Sequence, residues 1–478
     1  MRNARIPTKP PNYLLLLLFA LAAFIRFYKL GEKQLWVDEI IQVIHSTPHR
    51  IIDLLLGVTK DRGAAPLDYL IQHFFIAGLG SSEVTARLHA AIFGSLTVIA
   101  IYFLVRKIFD EKVAFLTTFL YAVYPLHHHY SQEGRPYALF TFLTVCSYIA
   151  FLYALQKNKL LNWLCYGAIT LLLLYSNYYA VFVMLSQFVF ICLLLVPKGR
   201  GSFFLERPVT LRLMVGFVIT ATLALICFAP WVVFGIDTIS GYQPAPEVFG
   251  WDLFARFIKE VGDRSYPLSL LLIALAVIGV RSLTLGSQFD NLLLLLCWCL
   301  LPLPLIFLLL WTKEYFFAIR QILFMTPALY VLVAVGILQS AEIVTRNRQH
   351  LKTKAVAFLT ACVVIISGLV IWLHIPDRNP DLRSTAYFLQ RNVQPEARVA
   401  APNISGILGY YFPEINDYAI DSADLPEVRP GQIVYVVESP YMTELDRMSV
   451  MQATQDQNHE IVQTWDFREI RIIKLQNR

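Results

Sequence analysis

The sequence predicts an α-helical polytopic membrane protein of about eleven spans, with interfacial helices and a small C-terminal α/β domain. Three observations predict it. Of 478 residues, 57% are hydrophobic and only 15% are charged, whereas a soluble domain carries about 25% charged residues. Mean hydropathy is accordingly high, at +0.55. Long apolar runs recur, such as Tyr13–Leu30 and Leu292–Trp311. A hydrocarbon core of about 30 Å demands runs of that length, because a helix rises about 1.5 Å per residue. Finally, the pattern changes near residue 374, where short alternating runs replace the long apolar ones.

The apolar runs place spans at 13–30, 88–105, 112–127, 137–155, 161–177, 180–196, 213–235, 266–283, 292–311, 321–340 and 355–373. The fifth and sixth are divided by the polar step Ser176-Asn177-Tyr178-Tyr179. The basic stretch Met1–Asn12 precedes the first run, and Arg26, Phe27 and Tyr28 follow it in place of a small-residue cleavage site. An uncleaved first span is therefore expected.

Orientation follows from basic residues. With the N-terminus in the cytoplasm, the inner loops hold Arg2, Arg5, Lys9, Arg106, Lys107, Lys157, Lys159, Lys198, Arg200, Arg207, Arg212, Arg346, Arg348, Lys352 and Lys354. An odd number of spans puts the tail outside. Topology thus accounts for the net charge of +6 without a nucleic-acid partner. The seven cysteines lie in or beside apolar runs, so neither a disulfide framework nor a cysteine metal site is expected.

Two outer segments are long. In 31–87, the stretches Glu39–Leu56 and Pro66–Leu79 are amphipathic and suit helices lying along the membrane surface. In 236–265, Tyr242, Trp251 and Phe254 suit interfacial anchors. The tail has a helical pattern at Asp381–Arg391 and strand patterns at Ala397–Ala401, Gln432–Val437, Ile461–Trp465 and Ile470–Leu475. The expected domains are 1–373, a membrane domain containing the loop 31–87, and 374–478, an extracytoplasmic α/β domain.

Two polar clusters stand out. Asp38-Glu39 follows Trp36 just after the first span. A carboxylate near headgroup depth is partly desolvated and can serve as a base. The same spacing suits Asp38 as a helix cap, and both readings stand. The second cluster runs from His127, His128 and His129 through Tyr130, Ser131, Gln132, Glu133 and Arg135 to Tyr137. It reads as a short polar turn between spans three and four. Such density at membrane depth points to a pathway or site. Arg135 can grip a phosphate through its planar fork, with His129, Glu133 and Tyr137 beside it. Three consecutive histidines cannot share one face. Glu39, His128 and His129 leave room for a divalent metal as a weak pattern.

Further outer charges are Asp61, Arg62, Asp68, Arg87, Lys313, Glu314 and Arg320. Each alone suits a snorkelling or solvated charge. Together they place cations and carboxylates on the face expected for Asp38-Glu39. Asn403-Ile404-Ser405 fits a glycosylation acceptor, a pattern short enough to arise by accident. No phosphate loop, dinucleotide fingerprint, nucleophile elbow or His-Glu-x-x-His zinc motif occurs.

Arg26-Phe27-Tyr28-Lys29-Leu30-Gly31 followed by Leu35-Trp36-Val37-Asp38-Glu39 resembles the first-loop signature of GT-C membrane glycosyltransferases. The nearest group is the protein-mannosyltransferase-like family 39, related to the aminoarabinose transferases of lipid A. The resemblance continues at Ala65-Pro66-Leu67, Arg87-Leu88, Tyr130–Tyr137 and Arg320–Gly336, and faintly at Asp381-Leu382-Arg383. Asp68 and Leu382 depart from it, standing where the family has aromatics.

The resemblance implies a GT-C-like fold in the plasma (inner) membrane and a polyprenyl-phosphate-linked sugar donor in the membrane lipid. It also implies inverting transfer to a glycan, lipid or protein acceptor at the outer face. Asp38 then serves as base, and Glu39 orients Asp38, binds the sugar or holds a metal. Arg135, His129, Arg87, Arg320 and Lys313 are candidates for the donor phosphate. The alternative from another class is a transporter or flippase of an anionic or lipid-linked substrate.

Overall fold

The computed structural model describes residues 12–61, 64–195, 210–235, 251–286, 288–313, 319–346, 348–374, 379–427, 429, 431–455 and 459–477. Arg62, Tyr242, Glu314 and the inner-loop residues Arg2, Arg5, Lys9, Lys198, Arg200 and Arg207 lie outside the described residues. The chain divides into two compact units: Met1–Leu30 with Ser46–Ile375, and Gly31–His45 with Pro376–Arg478. The second unit thus groups a piece of the first loop with the tail.

The first unit is helical throughout. Seven of its described helices are long and apolar enough to cross a membrane: Glu83–Ile108, Tyr137–Lys157, Leu211–Phe234, Tyr266–Leu285, Phe289–Leu308, Arg320–Val344 and Gln349–Leu373. Tyr13–Phe27, Leu160–Ser176 and Ala180–Leu195 are apolar but shorter. The multi-pass membrane class read from composition therefore holds. Some helices begin where the sequence supplies a side-chain acceptor for an orphan N–H group. Ser82 accepts from Thr85 N at 3.1 Å, and Asp110 accepts from Val113 N at 2.9 Å.

Two expected spans are broken. The expected span 112–127 consists of α6 (Glu111–Ala122) and α7 (Pro125–Ser131). In the expected span 292–311, a turn at Leu300-Leu301 interrupts the apolar helix Phe289–Leu308, dividing it into α14 (Phe289–Cys299) and the start of α15 (Pro302–Lys313). Pro125 and Pro302 lack the N–H that would continue the ladder. The expected interfacial helix 39–56 is likewise divided, into α2 (Val37–Ser46) and α3 (Ile51–Lys60), around Pro48. The second interfacial helix, α4 (Pro66–Leu79), has its expected bounds.

The centre of the first unit is α16 (Thr326–Val344). Its hydropathic window is 89% buried, whereas that of α17 (Gln349–Leu373) is 17% buried and presents Phe358, Ile365 and Trp372 outward. Glycine lets α16 meet α13 (Tyr266–Leu285) backbone to backbone. A Cβ on Gly336 would lie 1.9 Å from Leu275 O, and one on Gly279 would lie 2.2 Å from Leu332 O. Small residues permit such crossings where lipid offers no hydrophobic drive between helices.

The second unit contains α2, α18 (Leu382–Asn392) and a five-stranded sheet of order β2-β1-β3-β5-β4. Its strands are β1 (Arg398–Ala400), β2 (Ala419–Ile420), β3 (Ile433–Glu438), β4 (His459–Phe467) and β5 (Ile470–Asn477). β1 runs parallel to β2 and β3, and the β4–β5 hairpin adds antiparallel strands to β3. The four expected strands are present, and the two-residue β2 is new. Leu425, Val434, Val436, Val450, Ile473 and Leu475 form the core between the sheet and α21 (Glu444–Gln455).

Candidate active site

The first-loop acids lie in the opening turn of α2. The first helical bond runs from Ile40 N to Trp36 O at 3.0 Å, which makes Trp36 the cap residue. Glu39 Oε2 accepts from Trp36 N at 3.2 Å. This is the reciprocal half of a capping box, in which the third helical residue reaches back to the cap N–H. The capping role read for Asp38 therefore belongs to Glu39, which is fully buried. Asp38 is half-buried one residue earlier.

The segment before Asp38 is fastened to the rest of the second unit. Gln34, 2% exposed, donates to Pro380 O at 2.7 Å and accepts from Arg383 N at 2.9 Å. Leu35 N donates to the Tyr411 hydroxyl at 3.0 Å. Each bond satisfies backbone that burial would otherwise leave unpaired. Tyr441 lies in the β3–α21 loop of the same unit. Burial, then the negative charges of Asp38 and Glu469, push its hydroxyl up to about 12.

In the first unit, the expected turn at His127–Tyr137 is largely a helical turn, α7, followed by Gln132–Pro136. Arg135 Nη1 donates to Asp61 Oδ2 at 3.1 Å and to the Tyr69 hydroxyl at 3.2 Å. Tyr69 in turn donates to the same Asp61 oxygen. Burial holds the Tyr69 hydroxyl well above its usual range despite the nearby Arg135 charge, so Tyr69 remains a donor. Arg135 and Asp61 side chains are only 12% and 13% exposed. Gly134 permits the approach of this turn to α5 (Glu83–Ile108), since a Cβ there would sit 2.6 Å from Ala86 O.

The other expected site residues have separate tasks in this structure. Arg87 is buried and donates to Leu30 O at 3.1 Å, holding the end of the first span. Glu133 is buried, 3.9 Å from His129 Nε2. The Arg320 guanidinium lies 5.8 Å from the Tyr137 ring centre, within cation–π range. Lys313 ends α15, and its side chain falls outside the described positions. Asp68 pairs with buried His89 at 3.1 Å. Among the described residues no group of three or more His, Cys, Asp and Glu is placed to hold a metal ion. For the set Glu39, His128 and His129 the physical reason begins with the two histidines: adjacent helical residues point about 100° apart.

One pairing was missed by the sequence. Arg26 is fully buried and donates to Ala22 O at 3.0 Å and Ala122 O at 3.1 Å. Its Nη2 lies 2.8 Å from Nδ1 of the buried His127. A guanidinium only donates, so Nδ1 is the acceptor and the ring proton sits on Nε2. His127 is thus structural, while the partly exposed His129 faces Glu133.

Residues 63–234 match the family model for dolichyl-phosphate-mannose-protein mannosyltransferases. The crystal structure of ArnT from Cupriavidus metallidurans in the apo state superposes with a TM-score of 0.64 at 13% identity, covering 97% of this chain and 98% of that one. The chain has the GT-C glycosyltransferase fold. The same ArnT bound to undecaprenyl phosphate gives 0.63 at 13% identity, with coverage of 97% and 98%. An Archaeoglobus fulgidus oligosaccharyltransferase tethered to an acceptor peptide gives 0.50 at 13% identity, covering 93% of this chain and 71% of that one. No curated protein matches the sequence. The GT-C fold agrees with the resemblance carried by the first loop and the Tyr130–Tyr137 segment. Of the cations expected at the site, Arg87 and Arg135 fall within the family-model match.

Proposed function

We propose that this chain is an inverting glycosyltransferase that moves a sugar from a polyprenyl-phosphate donor to an acceptor hydroxyl at the extracytoplasmic membrane face. The observation that carries the reading is the family-model match over 63–234, which contains the largely buried Arg135 and the buried Tyr69. A fold solved with undecaprenyl phosphate in ArnT supports a lipid-phosphate donor. The distribution of basic residues supports a cytoplasmic N-terminus and an extracytoplasmic tail.

In this reading Asp38 takes the proton of the acceptor hydroxyl as its oxygen bonds to the anomeric carbon. The bond from that carbon to the phosphate oxygen breaks on the opposite side. The electron pair leaves with the polyprenyl phosphate, so no nucleophilic carboxylate is needed. Guanidinium groups stabilise the leaving charge, Arg135 foremost. Asp61 accepts from the Arg135 fork, so a donor phosphate would share that guanidinium with the carboxylate. Glu39 fixes the helix turn that carries Asp38.

The test is transfer from a radiolabelled polyprenyl-phosphate sugar by protein in nanodiscs, with release of free polyprenyl phosphate followed in parallel. Turnover by wild type, lost in Asp38→Asn, supports the reading. A flippase would move the lipid without releasing polyprenyl phosphate.

A further inference from the structure

The second unit carries a cleft of about 590 Å³ at one end of its sheet, within the roughly 300–1,000 Å³ range of small-ligand sites. Its walls are the end of β3, the following loop, α21 and the β4–β5 turn. The strand backbones there are already paired, Glu438 with Arg471 and Phe467 with Ile470. A ligand in this cleft is therefore read by side chains rather than by strand addition.

The side chains suit one chemistry. Glu438, Asp466 and Glu469 face Arg447 and Arg471, so the charges nearly cancel. Arg471 already pairs with Asp466 at 2.8 Å. Such a cleft offers no net positive field to a phosphate-rich headgroup. Hydroxyl groups can donate to its carboxylates and accept from its guanidinium groups. Met442, Phe467 and Ile470 supply an apolar floor for the C–H faces of sugar rings.

The cleft belongs to the same compact unit as the acid assigned as base. Gln34 and Leu35 anchor the segment leading to Asp38 on this unit. Tyr441 lies between two cleft residues, Pro440 and Met442, and responds to the charges of both Asp38 and Glu469. Its loop is held rigidly. Asp446 accepts from Thr443 N at 2.9 Å, from Asn403 Nδ2 at 2.9 Å and from Ser422 Oγ at 2.7 Å. Asn403 also donates to Tyr441 O at 3.2 Å.

We propose that this cleft is the acceptor site, that it takes an uncharged, hydroxyl-rich sugar chain, and that it leads the reactive hydroxyl to Asp38. The proposal rests on Asp38 being the base, and its test separates the two. Full-length protein in nanodiscs is titrated with mannotriose, maltotriose and chitotriose, with binding read by saturation-transfer NMR. At least one trisaccharide is expected to bind. Arg447 and Glu469 are exposed, so Arg447→Gln with Glu469→Gln leaves the core intact and should weaken binding about tenfold, as loss of hydrogen bonds to charged groups does. Asp38→Asn should keep the binding and lose transfer. Absence of binding by all three sugars, or equal binding by the double variant, overturns the cleft. So does cleft-dependent binding of phosphatidylglycerol vesicles or of an unglycosylated peptide in place of the sugars. Wild-type transfer by Asp38→Asn, with binding still sensitive to Arg447 and Glu469, overturns the base instead.

Discussion

Arg135 and Asp61 form an ion pair of 3.1 Å in which Tyr69 engages both partners, donating to the carboxylate and accepting from the guanidinium. The pair joins the end of α3 to the turn before α8 (Tyr137–Lys157). Removing one partner strands a mostly buried charge, which costs about 3–5 kcal/mol. Arg135→Ala and Asp61→Ala should each lower the thermal midpoint of unfolding in nanodiscs. The double variant should lose less than the sum, with a coupling of about 1–3 kcal/mol. Arg135→Lys should retain fold but raise the donor KM roughly tenfold, because the planar fork is lost.

Asp38 and Glu39 should separate in a stability-against-activity comparison. Asp38→Asn should reduce kcat by about 10²–10⁴-fold, the range of a general base, with little change in melting. Glu39→Ala removes the acceptor for Trp36 N. It should cost about 0.5–2 kcal/mol of stability, as capping losses do, and reduce activity through misplacement of Asp38. Equal melting losses for both variants would assign both acids to structure.

The α13–α16 crossing should not tolerate a methyl group. A Cβ on Gly336 meets Leu275 O at 1.9 Å, and the obstacle is backbone rather than a movable side chain. Gly336→Ala should abolish the monodisperse peak in size-exclusion chromatography. Gly368→Ala has open space around its Cβ and should elute as wild type.

Acid sensitivity should report on Asp263 and His374. Burial pushes the Asp263 carboxyl up, but the hydrogen bond from His374 at 2.8 Å and the charges of His129, His374 and Arg264 outweigh it. The folded value lies below the ordinary one. Its stabilisation is therefore full above about pH 4, the unfolded value, and is lost as pH falls through the lower folded value. His374→Ala removes the main lowering partner, so the folded value rises toward the unfolded one and the fall of stability below about pH 4 should shrink. Thermal midpoints measured from pH 3 to pH 7 test this.

Much of the helical framework was legible because its causes are local. Apolar runs of bilayer length and the basic residues around them lie within a few turns of each other. The breaks before Pro125 and Pro302 were locally signalled too, yet long hydropathy masked them. β2 has only two residues and is stabilised by pairing with β1, so no alternation announces it. The capping box at Glu39 was hidden because its cap residue is Trp36, which lacks the usual hydroxyl.

The sequence by itself determined the membrane class, the order of the helices, the α/β character of the tail and which short segments carry polar chemistry. Only the tertiary structure decided which polar groups meet. Asp61 and Arg135 are 74 positions apart, and Arg26 and His127 are 101 apart. Gln34 and Arg383 are 349 apart. Hydropathy and capping act over a few residues and can be read along the chain. Desolvated ion pairs and hydrogen bonds depend on distance in space, which only the packed helices and sheet establish.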